Sequence, residues 1–361
     1  METMQIFDPI HNFIPFTPIE EELLNHPFLV RLSHIYQCGP AFHVYPGVTH
    51  TRFSHTLGVM HVATMLFDTV ASWVEDPFER QFLRQAVRLG ALLHDVGHYP
   101  LSHTVELFLP KHEVQVRKTF DSKAFDPIFD KTAEHYRKKG ADVKELVRSI
   151  ALGEPTDLPF LSQLIADPHF GADRIDYLLR DALYSGLSYG RIDLHQLVRS
   201  VKIGKEGRLT IAPSGLPSVE ALLLARHWMH ERLYQHPKVR AYAFHYAKVV
   251  ETVLVQKKAL EDIHVFMEIN DHHIFSLIPE FPGHQRAILD PNSRVRAIKL
   301  PMKELSKARK IQEQTQGVWI DLAPDFKTVP LQGGKVQLDA EQIFWVYTDL
   351  KEPFQETGSP D

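Results

Sequence analysis

The residues best suited to chemistry gather around the dipeptide His94-Asp95, in the stretch Leu93-His94-Asp95-Val96-Gly97-His98-Tyr99-Pro100-Leu101-Ser102-His103. His55 lies upstream in Thr51-Arg52-Phe53-Ser54-His55, and Asp173 lies downstream in Gly171-Ala172-Asp173-Arg174. Two imidazoles and two carboxylates form a mixed nitrogen and oxygen donor set that suits one divalent ion, whether Mn, Fe, Ni, Zn or Mg. Spacing alone leaves the set open. His94 and His98 are one helical turn apart, so either His98 or Asp95 could complete it with His94. An HD dipeptide by itself is weak evidence in a chain with 22 histidines; its neighbours give it weight.

Two further series fall on single helix faces at four-residue steps: Asp173, Tyr177 and Asp181, then Arg226, His230 and Tyr234. A solvated face with incidental aromatics explains one such stripe about as well as a binding face does. Two stripes beside a metal cluster favour binding. A metal ion flanked by Arg52, Arg174, Arg226, His98 and His103 suits phosphoryl transfer to water. The ion polarises a phosphoryl oxygen, cations neutralise the others, and a free histidine protonates the leaving oxygen. Neither a P-loop, a GxSxG elbow nor an HExxH motif is present, so other hydrolase templates have no support.

These side chains need helices to hold them, and helical periodicity dominates from about residue 18 to 262. Residues 39–51 read as a loop, after which Thr51 caps a long amphipathic helix running to about Trp73. A second helix, about 77–95, carries His94-Asp95 at its end. The stretch 111–150 is helical, charged and partly exposed, and further helices are expected at about 158–166, 173–187, 192–200, 215–236 and 238–261. Residues 201–212 alternate across a glycine turn as a short hairpin. After about residue 263 the pattern changes, with β-like stretches at 295–300, 318–322 and 342–347. The expectation is a mainly α body over 1–262, a smaller α+β portion over 263–353, and a frayed tail at 354–361.

Composition narrows the function classes. The chain is long enough to bury a substantial core, and a net charge of −5 argues against a general nucleic-acid surface while leaving room for a local anion pocket. The single Cys38 excludes an intrachain disulfide and fits a reducing compartment. The start lacks a basic segment followed by an apolar core, and no apolar run nears the ~18 residues a membrane span needs. The expected location is cytoplasmic.

His55, His94-Asp95 and Asp173 resemble the H…HD…D ligand set of the HD-domain phosphohydrolases. Asp8-Pro9-Ile10-His11, Arg31-Leu32-Ser33-His34-Ile35-Tyr36-Gln37, Tyr45 through His55, and Asp173 through Asp181 extend the resemblance to the deoxynucleoside triphosphate triphosphohydrolase branch, over about residues 7–238. The C-terminal third resembles that branch only loosely. The resemblance implies hydrolysis of a dNTP at its α-phosphorus, giving a deoxynucleoside and tripolyphosphate. It implies His55, His94, Asp95 and Asp173 as metal ligands, with His98, His103, Arg52, Arg174 and Arg226 on the phosphates. Gln37 and Asp181 match residues that bind the sugar 3′-hydroxyl; Tyr177 and Tyr234 match aromatics that pack on deoxyribose, with His230 on the same helix face. The general acid matches His112, in a His112-Glu113 pair, with His135 as the alternative; Glu106 is placed to orient His103 or His112. A homo-oligomer, dimer or higher, is expected. The rivals are an HD phosphohydrolase acting on another phosphate ester, such as a nucleoside monophosphate or a signalling nucleotide, and a nucleotide-binding regulator without turnover.

Overall fold

The computed structural model describes residues 4–289, 296–314, 318–321, 330–331, 334–335 and 343–348. Its architecture is mainly α. A two-stranded antiparallel hairpin, β1 (Gln5–Asp8) and β2 (Asn12–Pro15), opens the chain where sequence patterning suggested no element. Its turn needs a left-handed residue, and Asn12 at φ 60° supplies it. Two short helices follow, α1 (Pro18–Leu24) and α2 (Pro27–Val30), the first held by a reciprocal capping box between Thr17 and Glu20.

The centre of the body is the antiparallel pair α3 (Arg52–Val70) and α4 (Pro77–Leu93). Three expectations about this pair are corrected. First, α3 is not amphipathic: residues on nearly all its faces are buried, because it runs through the core rather than over it. Second, Thr51 occupies the N-cap position without a side-chain cap bond. The Ser54 hydroxyl instead donates to the Thr51 carbonyl at 2.8 Å, and the α-helix ends at Val70 before a 3₁₀ turn, Ala71–Trp73. Third, α4 stops at Leu93, so His94 and Asp95 lie just beyond its last turn instead of within it. The chain then turns sharply at Gly97, where a Cβ would come within 2.2 Å of the Val116 amide nitrogen; only glycine allows α5 (Glu113–Asp121) to approach this closely.

The stretch expected to be helical over 111–150 resolves into α5, α6 (Asp126–Tyr136) and α7 (Gly140–Leu152). α8 (Phe160–Ala166), α9 (Ala172–Ser185) and α10 (Leu194–Ser200) lead to the expected hairpin, β3 (Val201–Ile203) with β4 (Leu209–Ile211). α11 (Leu216–Met229) passes into a π-helical turn, His230–Tyr234, before α12 (Pro237–Gln256). Then come α13 (Ile263–Glu268), α14 (Asp271–Leu277) and α15 (Pro282–Leu289). Phe266, Ile274 and Ile288 from these last helices belong to the same apolar core as Leu57 and Leu92, so packing shows no break at residue 262. The β-rich part begins later. β5 (Arg296–Pro301), α16 (Leu305–Gln314), β6 (Val318–Asp321), two-residue strands β7 (Pro330–Leu331) and β8 (Gly334–Lys335), and β9 (Ile343–Thr348) include a sheet in the order β5-β9-β6. A separate small cluster around Ala308 packs beneath it. The expected tail, 354–361, lies outside the described residues.

Candidate active site

Three elements bring the first cluster together: α3 presents His55 from its first turn, the end of α4 presents His94 and Asp95, and the first turn of α9 presents Asp173. His55 Nε2 lies 3.0 Å from Asp173 Oδ1 and 3.8 Å from Asp95 Oδ2; His94 Nε2 lies 3.5 Å from Asp95 Oδ1 and 3.8 Å from Asp173 Oδ1. The four donors the resemblance implied therefore converge, whereas His98 points elsewhere. His94 Nδ1 sits 2.7 Å from the Ala91 carbonyl, which requires a proton on Nδ1 and turns Nε2, the nitrogen open to a metal ion, toward two carboxylates. Burial alone would lower the His55 pKa, but hydrogen bonds to Asp173 and Asp176 override it and push it up to about 9. Burial would also raise Asp95, yet Arg52, His94 and His55 hold it below the usual carboxylate range. Ionised carboxylates that stabilise a positive charge on His55 would also stabilise a bound cation, and the donor set fits a divalent ion.

Behind His55 is a residue that sequence reasoning missed. Asp176 Oδ2 lies 2.8 Å from His55 Nδ1, and its other oxygen lies 2.7 Å from His11 Nε2. Arg180 grips the same carboxylate through two 2.9 Å bonds and reaches Asp8 at 2.8 Å. Asp8, His11, Asp176 and Arg180 are all buried. The acidic charge of Asp176 thus fixes the His55 tautomer and ring plane, as carboxylates behind ligating histidines do. The available signal was positional: Asp176 is one turn after Asp173, and Asp8 and His11 stand in the same N-terminal motif.

A second cluster adjoins the first. Glu106 accepts from His103 Nδ1 at 2.9 Å, from His112 Nδ1 at 2.8 Å and from the His112 backbone N–H at 3.0 Å. Burial would raise Glu106, but these two histidines hold it below the usual carboxylate range. His112 Nε2 is 3.7 Å from Asp95 Oδ1, which joins the two clusters. His98 stacks on His112 at 4.0 Å and is pushed well below its ordinary pKa, first by burial and then by Arg52 and its histidine neighbours; it is a neutral imidazole whose two nitrogens both lack partners. His135 does not join them. It is exposed on α6, its ring against Tyr136. Arg52 is more committed than a free phosphate contact would be: it donates to Asp95, to Ser102 Oγ and to the Gln37 carbonyl.

A cavity of about 400 Å³, a size that suits a nucleotide-sized ligand, adjoins the clusters through Arg52, which donates to Asp95, and His103, which donates to Glu106. Gln37, Arg52, His103, Tyr177, Asp181 and Arg226 line it, as do His230 and Tyr234. The π-helical turn sets the last two on one wall, with their rings 5.0 Å apart; such turns tend to occur where a helix must re-aim side chains. Tyr177 and Tyr234 meet edge to face at 6.0 Å. Arg226 Nε and Arg174 Nη1 are buried and unpartnered, two cationic groups with donors to spare beside the clusters.

A mainly α body in which His55, His94, Asp95 and Asp173 converge beside an arginine-bearing cavity has the form of a candidate HD-type metal site. Comparison with known proteins agrees. Residues 52–167 match the HD domain and residues 192–295 match the HD associated region. The chain carries an HD domain followed by an HD associated region. It is 35% identical over 239 residues to an uncharacterized protein of Methanocaldococcus jannaschii, covering 65% of this chain and 46% of that one. It is 26% identical over 307 residues to the deoxynucleoside triphosphate triphosphohydrolase SAMHD1 of Danio rerio, covering 76% of this chain and 48% of that protein. The chain thus spans about half the length of these curated relatives. The crystal structure of a hypothetical protein from Aquifex aeolicus superposes with a TM-score of 0.78 at 26% identity, covering 96% of this chain and 97% of that one.

Proposed function

We propose that this protein hydrolyses deoxynucleoside triphosphates at the α-phosphorus, releasing a deoxynucleoside and inorganic tripolyphosphate. The observation that carries the reading is the junction at Asp95. One of its carboxylate oxygens is 3.5 Å from His94 Nε2 and 3.7 Å from His112 Nε2, so it lies between the metal donors and the acid pair of His112 and Glu106. His55, His94, Asp95 and Asp173 would hold a divalent ion, which supplies Lewis-acid polarisation of a phosphoryl oxygen. Water adds its oxygen to phosphorus, and the bond from phosphorus to the sugar O5′ breaks. His112 gives a proton to that leaving oxygen, and Glu106 orients the imidazole. Arg174 and Arg226 have unpartnered donors for the remaining phosphate charge. Gln37 and Asp181 take the sugar 3′-hydroxyl, while Tyr177 and Tyr234 pack on the deoxyribose. The similarity to the deoxynucleoside triphosphate triphosphohydrolases SAMHD1 of Danio rerio and Homo sapiens supports this reading.

An assay of the four dNTPs against several divalent metals, with products resolved, tests it. Tripolyphosphate and deoxynucleoside are expected. Orthophosphate from a monophosphate or from another ester would replace this reading with the broader phosphohydrolase one, and nucleotide binding without any product would point to a regulator.

A further inference from the structure

Asp181 is held from two sides. Its Oδ1 lies 2.7 Å from His50 Nε2, and its Oδ2 accepts a 2.5 Å bond from the Tyr234 hydroxyl. The side chains of His50 and Asp181 are 0% and 2% exposed, so water does not compete for either contact. The Tyr184 ring stacks on the His50 imidazole at 4.5 Å with an interplanar angle of 23°, which fixes the ring plane. Through its backbone carbonyl, His50 also accepts the Gln37 N–H at 3.0 Å. One residue therefore ties together the two cavity residues that the proposed reading assigns to the 3′-hydroxyl.

The other face of the imidazole is informative. His50 Nδ1 is buried and has no partner. A buried polar nitrogen left unpaired is destabilising, and a ring of carbon would pack against Tyr184 without that cost. The imidazole is thus explained by what Nε2 does at Asp181 and not by core stability. With an acceptor opposite, Nε2 is the protonated nitrogen and donates. A carboxylate offers about four lone-pair sites, so two bound donors stop its rotation and leave sites for a ligand hydroxyl. The Cys38 thiol, 4.0 Å from His50 Nε2, is pushed well above its ordinary pKa by burial and then by Asp181, and stays neutral beside the pair.

We propose that His50 is a positioning residue for sugar recognition, holding the Asp181 carboxylate so that it accepts a hydrogen bond from the 3′-hydroxyl of the bound nucleotide. This rests on the dNTP reading of the cavity. It makes His50 a determinant of selectivity for nucleotides that carry a 3′-hydroxyl.

The experiment compares kcat/KM for each dNTP and its 2′,3′-dideoxy counterpart in the wild type, His50→Ala, His50→Gln and Asp181→Asn. The wild type is expected to prefer the 3′-hydroxyl substrate by roughly ten- to a hundredfold, the range of one hydrogen bond to a charged group. His50→Ala should lose most of that preference, through dNTP turnover falling more than dideoxy turnover. His50→Gln keeps a donor and should recover part of it, and Asp181→Asn should resemble His50→Ala. A wild type that does not discriminate overturns the sugar assignment itself. A discriminating wild type with an equally discriminating His50→Ala overturns the role of His50 alone, as does a His50→Ala that loses both substrates in equal measure. If neither His50 variant folds, the wild type still decides: the His50 imidazole ¹⁵N signals must move on binding a dNTP and not on binding its dideoxy partner, and equal shifts overturn the proposal.

Discussion

Arg31 and Asp271 hold opposite ends of one loop of the site. Arg31 Nη1 donates to the His98 carbonyl at 2.9 Å, and Asp271 Oδ1 accepts from the Leu101 N–H at 2.6 Å. Asp271 Oδ2 also accepts from the Tyr36 N–H at 2.8 Å, next to Gln37. The held loop contains two consecutive non-glycine residues in the left-handed region, Leu101 at φ 56° and Ser102 at φ 59°. Such conformations persist only where the surroundings over-determine them. Asp271 comes from the HD associated region, so that region braces the loop carrying His98 and His103.

This brace should be visible in stability against pH. Burial pushes Asp271 up to about 7 from 3.8, against the opposing pull of the Tyr36 and Leu101 amides and of Arg31. The folded protein therefore binds this proton more tightly than the unfolded chain does. The group's contribution is fully present below pH 3.8 and is lost as pH rises through about 7. Urea unfolding of the wild type between pH 5 and pH 7.5 should show a decline that Asp271→Asn flattens, a difference on the order of 1–3 kcal/mol. Parallel curves for the two proteins would mean that Asp271 is ionised throughout.

Removing one donor from the first cluster should empty it. His94→Ala is expected to lose bound metal and turnover while keeping its helical circular dichroism, since three remaining donors hold a labile ion weakly. Asp95→Ala is a poorer test: Arg52 donates to Asp95 in a buried pair, and stranding it costs about 3–5 kcal/mol on its own. Asp95→Asn keeps a partner for Arg52 and separates the two effects. Unchanged metal content in His94→Ala, read by elemental mass spectrometry, would sink the ligand assignment.

A single methyl group on α3 should do similar damage at second hand. A Cβ on Gly58 would lie 1.9 Å from Asp176 Oδ1 and 2.4 Å from Arg180 Nη2, inside the pair that orients His55. Both partners are buried and fixed by other bonds, so neither can step aside cheaply. Gly58→Ala should therefore destabilise the fold by about 1–3 kcal/mol and lower metal occupancy without altering any ligand. A variant with wild-type melting temperature and metal content would show that Asp176 is not needed to hold His55.

How far the chain could be read in advance follows from which forces act locally. His55, His94 and Asp173 stand out by residue type, while the choice of Asp95 over His98 rests on the family resemblance and not on spacing; the structure brings all four together. The sheet strand found at Ile343–Thr348 lies within one residue of the expected 342–347, because β-branched and aromatic residues crowd there. Other features depend on packing. The full burial of α3 erased the one-sided pattern expected of it, and the π-helical turn at His230–Tyr234 leaves no mark in periodicity. His50 and Asp176 were missed for a shared reason: each acts through a partner more than a hundred residues away, at separations of 131 and 121.

The acid pair can be dissected by charge. His112→Ala should retain metal and lose about 10²–10⁴ in kcat, the usual worth of a positioned general acid. Glu106→Gln leaves both imidazoles in place but replaces the carboxylate that His103 and His112 share, so its loss should be smaller and should fall on kcat more than on KM. His135→Ala should behave as wild type, given its exposed position on α6. An inactive His135→Ala beside a near-normal His112→Ala would reverse the assignment.

Tyr234 tests the sugar from its other side. Its hydroxyl belongs to Asp181, and its ring stands edge to face with Tyr177 in the cavity wall. If the ring lies against C2′, a ribonucleotide must displace it or bury an unpaired hydroxyl, at a cost on the order of 1–3 kcal/mol. Two substitutions separate the functions of one side chain. Tyr234→Phe keeps the ring and frees Asp181 Oδ2, so it should lower dNTP turnover while preserving the preference for deoxyribose. Tyr234→Ala removes both, and should narrow the gap between dNTP and NTP by roughly ten- to a hundredfold. The measurement is kcat/KM for each dNTP and its matching NTP in the three proteins. An unchanged ratio in Tyr234→Ala would place the ring away from C2′, and a wild type that favours ribonucleotides would remove the dNTP reading altogether.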